Sequence, residues 1–276
     1  MLKKIIFSVF VLVLSSCTSL RYNVNSSKYK SVSQNDRVRF IILHYTALND
    51  ERSITALTKN NVSSHYLVTQ KRNDDVYSLV PDTRRSWHAG VSSFDGYKNL
   101  NDNSIGIEIA NLGYSNANRS KINDLKNGIV DRNIFLPYND AQIFKIGMLL
   151  KELTAKYKIN PKYILGHSDV APTRKMDPGP KFPWKYLHDK YGVGAWYNIK
   201  DFNHYYSQTL FESYSIIDLK KELRKYGYDV SLTETWDLES IKTISAFQMH
   251  FRSHKIDGVF DLETFAILKA LNKKYK

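Results

Sequence analysis

His44, His167 and Asp177 are the residues whose types and positions could do chemistry together. His44 ends the apolar run Phe40-Ile41-Ile42-Leu43, and His167 follows Tyr163-Ile164-Leu165-Gly166, so both imidazoles are expected at strand exits, with Asp177 in the loop that follows. Two imidazoles and one carboxylate leave the fourth tetrahedral position of a zinc ion open, the mark of a catalytic rather than a structural site. The wide separation of His44 from the other two matches no compact His-Glu-x-x-His helix, and spacing alone is equally that of scattered structural histidines. Glu108 lies in Ser104-Ile105-Gly106-Ile107-Glu108-Ile109-Ala110, where the period of two puts it opposite the Ile row among small neighbours. A carboxylate with that room can take a proton from water and pass it to a leaving amine. Lys175, two residues before Asp177, offers a cation to offset charge growing on a carbonyl oxygen. An isolated Glu on a strand, or Lys in a loop, is more commonly just solvated.

The elements that must position these residues read as an α/β domain. A buried strand is expected at Phe40–His44, a short helix around Ile54–Lys59, and a hairpin from His65–Thr69 and Val76–Val80 around the polar turn Lys71–Asp75. Asn139 with Gln142 forms a capping pair for a helix whose apolar face is Ile143, Ile146, Leu149, Leu150, Leu153 and Tyr157, ended by Asn160-Pro161. A strand at Tyr163–Leu165 then delivers Gly166-His167 into a loop stiffened by Pro172, Pro178 and Pro180, which needs no helix to hold His167, Lys175 and Asp177. Helical stretches at Ile217–Tyr226, Leu238–Phe251 and Leu262–Leu271 make a separate all-α module with its own core. The expected fold is thus a mixed central β-sheet flanked by helices over residues 37–205, then a small three-helix domain over 211–273.

A chain of 276 residues suits two domains, and 42% hydrophobic with 24% charged residues is the balance of a globular protein. Forty Lys and Arg against 27 Asp and Glu give +13, which favours an anionic partner such as nucleic acid, a membrane surface or bacterial cell wall. The aromatic load of 19 Tyr and 13 Phe is read as core packing. Met1-Leu2-Lys3-Lys4, the apolar run Ile5–Leu14 and Ser15-Ser16 form a signal peptide, the apolar run being well short of the roughly 20 residues needed to span a bilayer. Leu14-Ser15-Ser16-Cys17 resembles the lipobox of bacterial lipoproteins, which implies residues 1–17 as a lipoprotein signal with Cys17 acylated. Residues 18–36 are then a tether. A single Cys excludes internal disulfides.

Several separated segments carry a wider likeness. Ile42-Leu43-His44-Tyr45-Thr46, Val62-Ser63-Ser64-His65-Tyr66, Trp87-His88-Ala89-Gly90, Ile105-Gly106-Ile107-Glu108 and His167-Ser168-Asp169-Val170-Ala171-Pro172 through Lys175-Met176-Asp177-Pro178-Gly179 occur in that order. Together they resemble the zinc-dependent N-acetylmuramoyl-L-alanine amidases of the type-2 amidase superfamily, which also contains the peptidoglycan recognition proteins. The nearest likeness is to lipoprotein amidases with a C-terminal peptidoglycan-binding module. The resemblance implies one Zn2+ held by His44, His167 and Asp177, Glu108 as general base, and Lys175 as oxyanion stabiliser. His65, Trp87 and His88 are expected to line the substrate groove or support it, whereas His188, His204, His250 and His254 are expected at the surface. Ala246-Phe247-Gln248 with Ile256-Asp257-Gly258-Val259-Phe260-Asp261 and Thr264 is similar to the three-helix peptidoglycan-binding domain, except that Asp261 stands where that family usually has Gly, so a differently shaped loop is expected.

The expected activity is hydrolysis of the amide between N-acetylmuramic acid, intact or 1,6-anhydro, and L-Ala of the stem peptide, in cell-wall degradation, remodelling or recycling. The expected partners are peptidoglycan, muropeptides and, through the lipid anchor, a membrane. The expected location is the periplasm at the outer membrane, with secretion as the alternative. A recognition protein that kept the fold but lost catalysis is the rival reading, and the filled ligand positions argue against it. The signal peptide and the lack of any nucleic-acid motif argue against a nucleic-acid binder.

Overall fold

The computed structural model describes residues 22–34, 37–115 and 127–276. Cys17 and the expected signal segment lie outside the described residues. Residues 22–34 form no helix or strand and are exposed. Among the described residues no helix is long and apolar enough to cross a membrane.

From Asp36 to Lys276 the chain forms one compact unit. Its centre is a five-stranded mixed sheet of β1 (Phe40–Tyr45), β2 (Tyr66–Val68), β3 (Tyr77–Ser78), β6 (Ser104–Ile109) and β7 (Ile164–Gly166), in the order β3-β2-β6-β1-β7. Strand β1 lies parallel to both β6 and β7, β2 parallel to β6, and β3 pairs antiparallel with β2 as the expected hairpin. Two further short strands, β4 (Ser93–Phe94) and β5 (Tyr97–Lys98), pair on their own.

The period of two along β1 and β6 divides the core. Ile41 and Leu43, with Ile105, Ile107 and Ile109, face helix α2 (Asp140–Tyr157), whose Ile146, Leu149, Leu150 and Leu153 cover them. The capping box of Asn139 and Gln142 is formed as expected, and the helix stops at Lys158 in the left-handed conformation. Helix α1 (Asp50–Lys59) starts a turn earlier than its apolar residues indicate, because Asn49 caps it and its first turn is acidic. Strand β7 begins at Ile164, since Tyr163 closes a single 3-10 turn with Pro161.

Phe40, Ile42 and Leu165 face the other way, and here the structure departs from the expectation of a self-contained helical module. The described C-terminal helices, after the one-turn α3 (His167–Val170) and α4 (Trp184–Tyr191), are α5 (Ile199–Tyr205), α6 (Gln208–Glu212), α7 (Ile216–Tyr226), α8 (Leu238–Phe251) and α9 (Leu262–Tyr275). Tyr226, Tyr228, Phe247, Phe251 and Phe265 join Phe40, Ile42, Phe94 and Leu165 in one continuous buried cluster. Polar ties cross the same seam, among them the buried Lys162 ammonium paired with Asp95, which Lys276 also reaches. Periodicity found the three long helices but could not show that their apolar faces exceed what they bury among themselves.

Candidate metal centre and active site

Parallel pairing sets His44 beside Glu108 across β1 and β6, and β7 ends at Gly166 one residue before His167. The site therefore forms at the carboxyl ends of three adjacent parallel strands. His167 is not in a loop, as expected, but opens helix α3. Ser168 N–H donates to the Asp177 carbonyl at 2.9 Å, which draws the following loop back so that Asp177 meets both histidines.

His44 Nδ1, His167 Nδ1 and Asp177 Oδ2 stand 2.9 Å from one another. All three side chains are buried. Their hydrogen bonds determine where the protons are. Ser104 Oγ donates to the Leu100 carbonyl, so it accepts from His88 Nε2 at 3.1 Å. His88 Nδ1 is then an acceptor and takes the His44 Nε2 proton at 3.0 Å, leaving His44 Nδ1 a bare lone pair. His167 Nε2 donates to the Ala89 carbonyl at 2.9 Å, which likewise bares His167 Nδ1. Two lone pairs and a carboxylate oxygen thus converge with no proton to share, an arrangement that repels itself unless a cation sits between them. Protonation of His44 is no remedy, since burial and His167 push it down to about 4. The donor set fits a metal ion.

Glu108 is largely buried beside this cluster, and its Oε2 has no hydrogen-bond partner. Burial and then Asp177 push its carboxyl up to about 8, against the opposing pull of Lys175. The small neighbours expected around it are only half the picture. His88 lies over Gly106 so closely that a Cβ there would come within 2.4 Å of the ring, which makes Gly106 a requirement of the site. The Lys175 ammonium has no hydrogen bond or ion pair among the described residues, while its charge reaches both Glu108 and His44.

The remaining residues separate by depth. His65 is fully buried, and its Nδ1 accepts from Gly106 N–H while Nε2 donates to the Arg84 carbonyl, so it supports strand β6 and reaches no surface that a substrate could touch. His88 bonds His44 from behind. Trp87 alone of the three is open, 57% exposed with the Arg85 guanidinium 4.1 Å from its ring centre. His204 and His254 are exposed and His188 half-buried, but His250 corrects the expectation of a surface residue. It is buried, bonded to Asp169 and stacked on Trp184 and Phe251. Asp261, with φ −96°, needs no glycine; it caps α9 through Thr264 N–H and pairs with the buried Arg252.

Comparisons with known proteins agree with this geometry. Residues 34–180 match the model of the N-acetylmuramoyl-L-alanine amidase family, and residues 212–268 that of a peptidoglycan binding domain. The chain is 38% identical over 248 residues to the N-acetylmuramoyl-L-alanine amidase AmiD of Escherichia coli, covering 87% of this chain and 84% of that protein. The crystal structure of AmpDh3 from Pseudomonas aeruginosa in complex with anhydromuramic pentapeptide superposes with a TM-score of 0.81 at 37% identity, covering 92% of this chain and 99% of that one. The structure of E. coli AmiD with anhydro-N-acetylmuramic acid-L-Ala-D-gamma-Glu-L-Lys gives 0.76 at 36% identity, covering 90% and 93%. With the expected ligands meeting at one buried point on the matching fold, the chain belongs to the N-acetylmuramoyl-L-alanine amidase family.

Proposed function

We propose that the chain hydrolyses the amide joining N-acetylmuramic acid, intact or in its 1,6-anhydro form, to L-alanine of the peptidoglycan stem peptide. The observation that carries this reading is the convergence of His44 Nδ1, His167 Nδ1 and Asp177 Oδ2 beside Glu108. The support for the substrate is that the AmpDh3 and AmiD structures were obtained with anhydromuramyl peptides.

The metal is taken to be zinc, which two imidazoles and a carboxylate suit, and when bound it would polarise a carbonyl and acidify a water. The protein's own groups then have distinct tasks. Glu108 receives a proton on its carboxylate and returns it to the amine that leaves. Lys175 faces the carbonyl oxygen as charge grows there, a contribution of about 3 kcal/mol for one well-placed donor. Trp87, exposed and with the Arg85 guanidinium over its ring, offers an aromatic surface for a sugar or peptide group. Incubation with purified peptidoglycan should release peptides bearing a free N-terminal L-alanine, identified by mass. Fragments cut only between sugars, or none, would refute the assignment.

The chain is further proposed to be exported and held at the periplasmic face of the outer membrane by acylated Cys17. Each buried methylene of an acyl chain contributes about 0.8 kcal/mol, so several chains on one Cys hold firmly. Cys17→Ser should move the protein to the soluble fraction. Unchanged membrane fractionation would leave the basic surface as the anchor.

A further inference from the structure

Asp169 is a buried carboxylate two residues beyond His167, and it is 1% exposed. Its Oδ2 accepts from Gly166 N–H at 2.8 Å, closing the turn that starts α3 and presents His167. The other partners come from the C-terminal helical region. His250 Nδ1 donates to the same Oδ2 at 2.7 Å, and Tyr228 Oη donates to Oδ1 at 2.6 Å. Both donors are fixed by packing. His250 lies between Trp184 and Phe251, at ring separations of 3.8 and 4.0 Å, and Tyr228 packs against Phe94 and Phe247.

We propose that His250 and Tyr228 are positioning residues for the metal centre, acting on His167 through Asp169. The inference rests on the zinc reading above and extends it to a region outside the amidase family match. A carboxylate cut off from water is tolerated only when its oxygens are paired. With His250 and Tyr228 in place, Asp169 stays buried and clamps Gly166, while Ser168 N–H on the same turn holds the Asp177 carbonyl. One turn therefore carries one ligand and tethers another. Without the two donors Asp169 must draw in water or swing away, and the turn loses the clamp that aims His167 Nδ1. Supporting partners of this kind commonly change metal affinity by 10- to 100-fold. Acting one bond further out, His250 and Tyr228 belong at the low end, about tenfold.

The test uses the full chain with His250→Ala, His250→Asn and Tyr228→Phe. Zinc transfer to a chromogenic chelator is followed well below each variant's melting temperature. Tyr228→Phe removes a single oxygen and keeps the test valid should His250→Ala not fold. Faster zinc release in Tyr228→Phe and His250→Ala by about tenfold, with His250→Asn near the wild type because its amide can donate to Asp169, supports the proposal. Lower melting temperatures with unchanged zinc release overturn it and assign the residues to packing alone. A wild-type chain that binds no zinc overturns the metal reading first, and this inference with it.

Discussion

Replacing His88 by Ala removes the one acceptor that His44 Nε2 has among the described residues. A buried N–H left without a partner costs about 1–3 kcal/mol. The metal-free variant escapes that cost, because His44 can move its proton to Nδ1, where Asp177 Oδ2 accepts it at 2.9 Å. Binding the metal needs Nδ1 bare, so the proton must return to Nε2 and the full penalty opposes binding. At 1.4 kcal/mol per decade this predicts a zinc affinity lower by about 5- to 150-fold, a range that brackets the usual effect of partners behind metal-bound histidines. Water entering the space over Gly106 would accept the proton and set the lower end. His88→Asn keeps an acceptor where Nδ1 stood and should recover most of the loss. The assay is chelator competition at fixed pH. An affinity within twofold of wild type for His88→Ala would refute the proton assignments from Leu100 through Ser104 and His88 to His44.

Glu108→Ala should keep its zinc while turnover falls by roughly 10²-fold or more, as metal analysis beside kcat would show, and loss of zinc would instead make Glu108 a ligand. Asp261→Asn removes one of the carboxylates paired with Arg252, whose side chain is buried and keeps Asp257 and Glu263 at 3.2 and 3.5 Å, so urea unfolding should report a loss of about 1.5 kcal/mol at pH 7. Although burial opposes it, Arg252 and Thr264 hold the Asp261 carboxyl below its unfolded value. Its contribution is therefore complete above about pH 3.9 and lost as pH falls through the folded value, and the variant should lose stability less steeply below pH 4. Deleting residues from Phe211 onward should abolish hydrolysis of soluble muropeptides and of insoluble wall alike, with circular dichroism showing lost tertiary structure. Retained activity on the soluble substrate would show that the sheet closes without the helices.

That His44, His167 and Asp177 come together was legible through the family resemblance of short ordered segments, since their spacing alone is that of scattered residues. Alternation along one strand gave the face of Glu108, and the resemblance alone gave its expected role. What stayed hidden needs tertiary contacts. His250 sits on a helix that its apolar spacing reveals, yet no local pattern tells that a histidine there will meet Asp169. Gly106 reads as free space beside Glu108, whereas the structure fills that space with His88 from a distant loop. Strands β4 and β5 span two residues each, too short for any periodicity. Asp261 reads as a departure from a glycine pattern, and its reason, the buried Arg252, is nine residues away in sequence and fixed only by folding.

The sheet explains why the amidase fold and the helical region are joined so closely. Phe40, Ile42 and His44 are alternate residues of β1 and so share one face, as Gly106 and Glu108 do on β6. The face that carries the chemistry at its carboxyl end is thus the face that needs an apolar cover lower down, and α7, α8 and α9 supply it through Leu223, Phe247 and Phe265. A peptidoglycan-binding module on a flexible linker would act by raising local substrate concentration, whatever its orientation. This one shares a core with the catalytic sheet, so any glycan it holds meets the metal centre from a fixed direction.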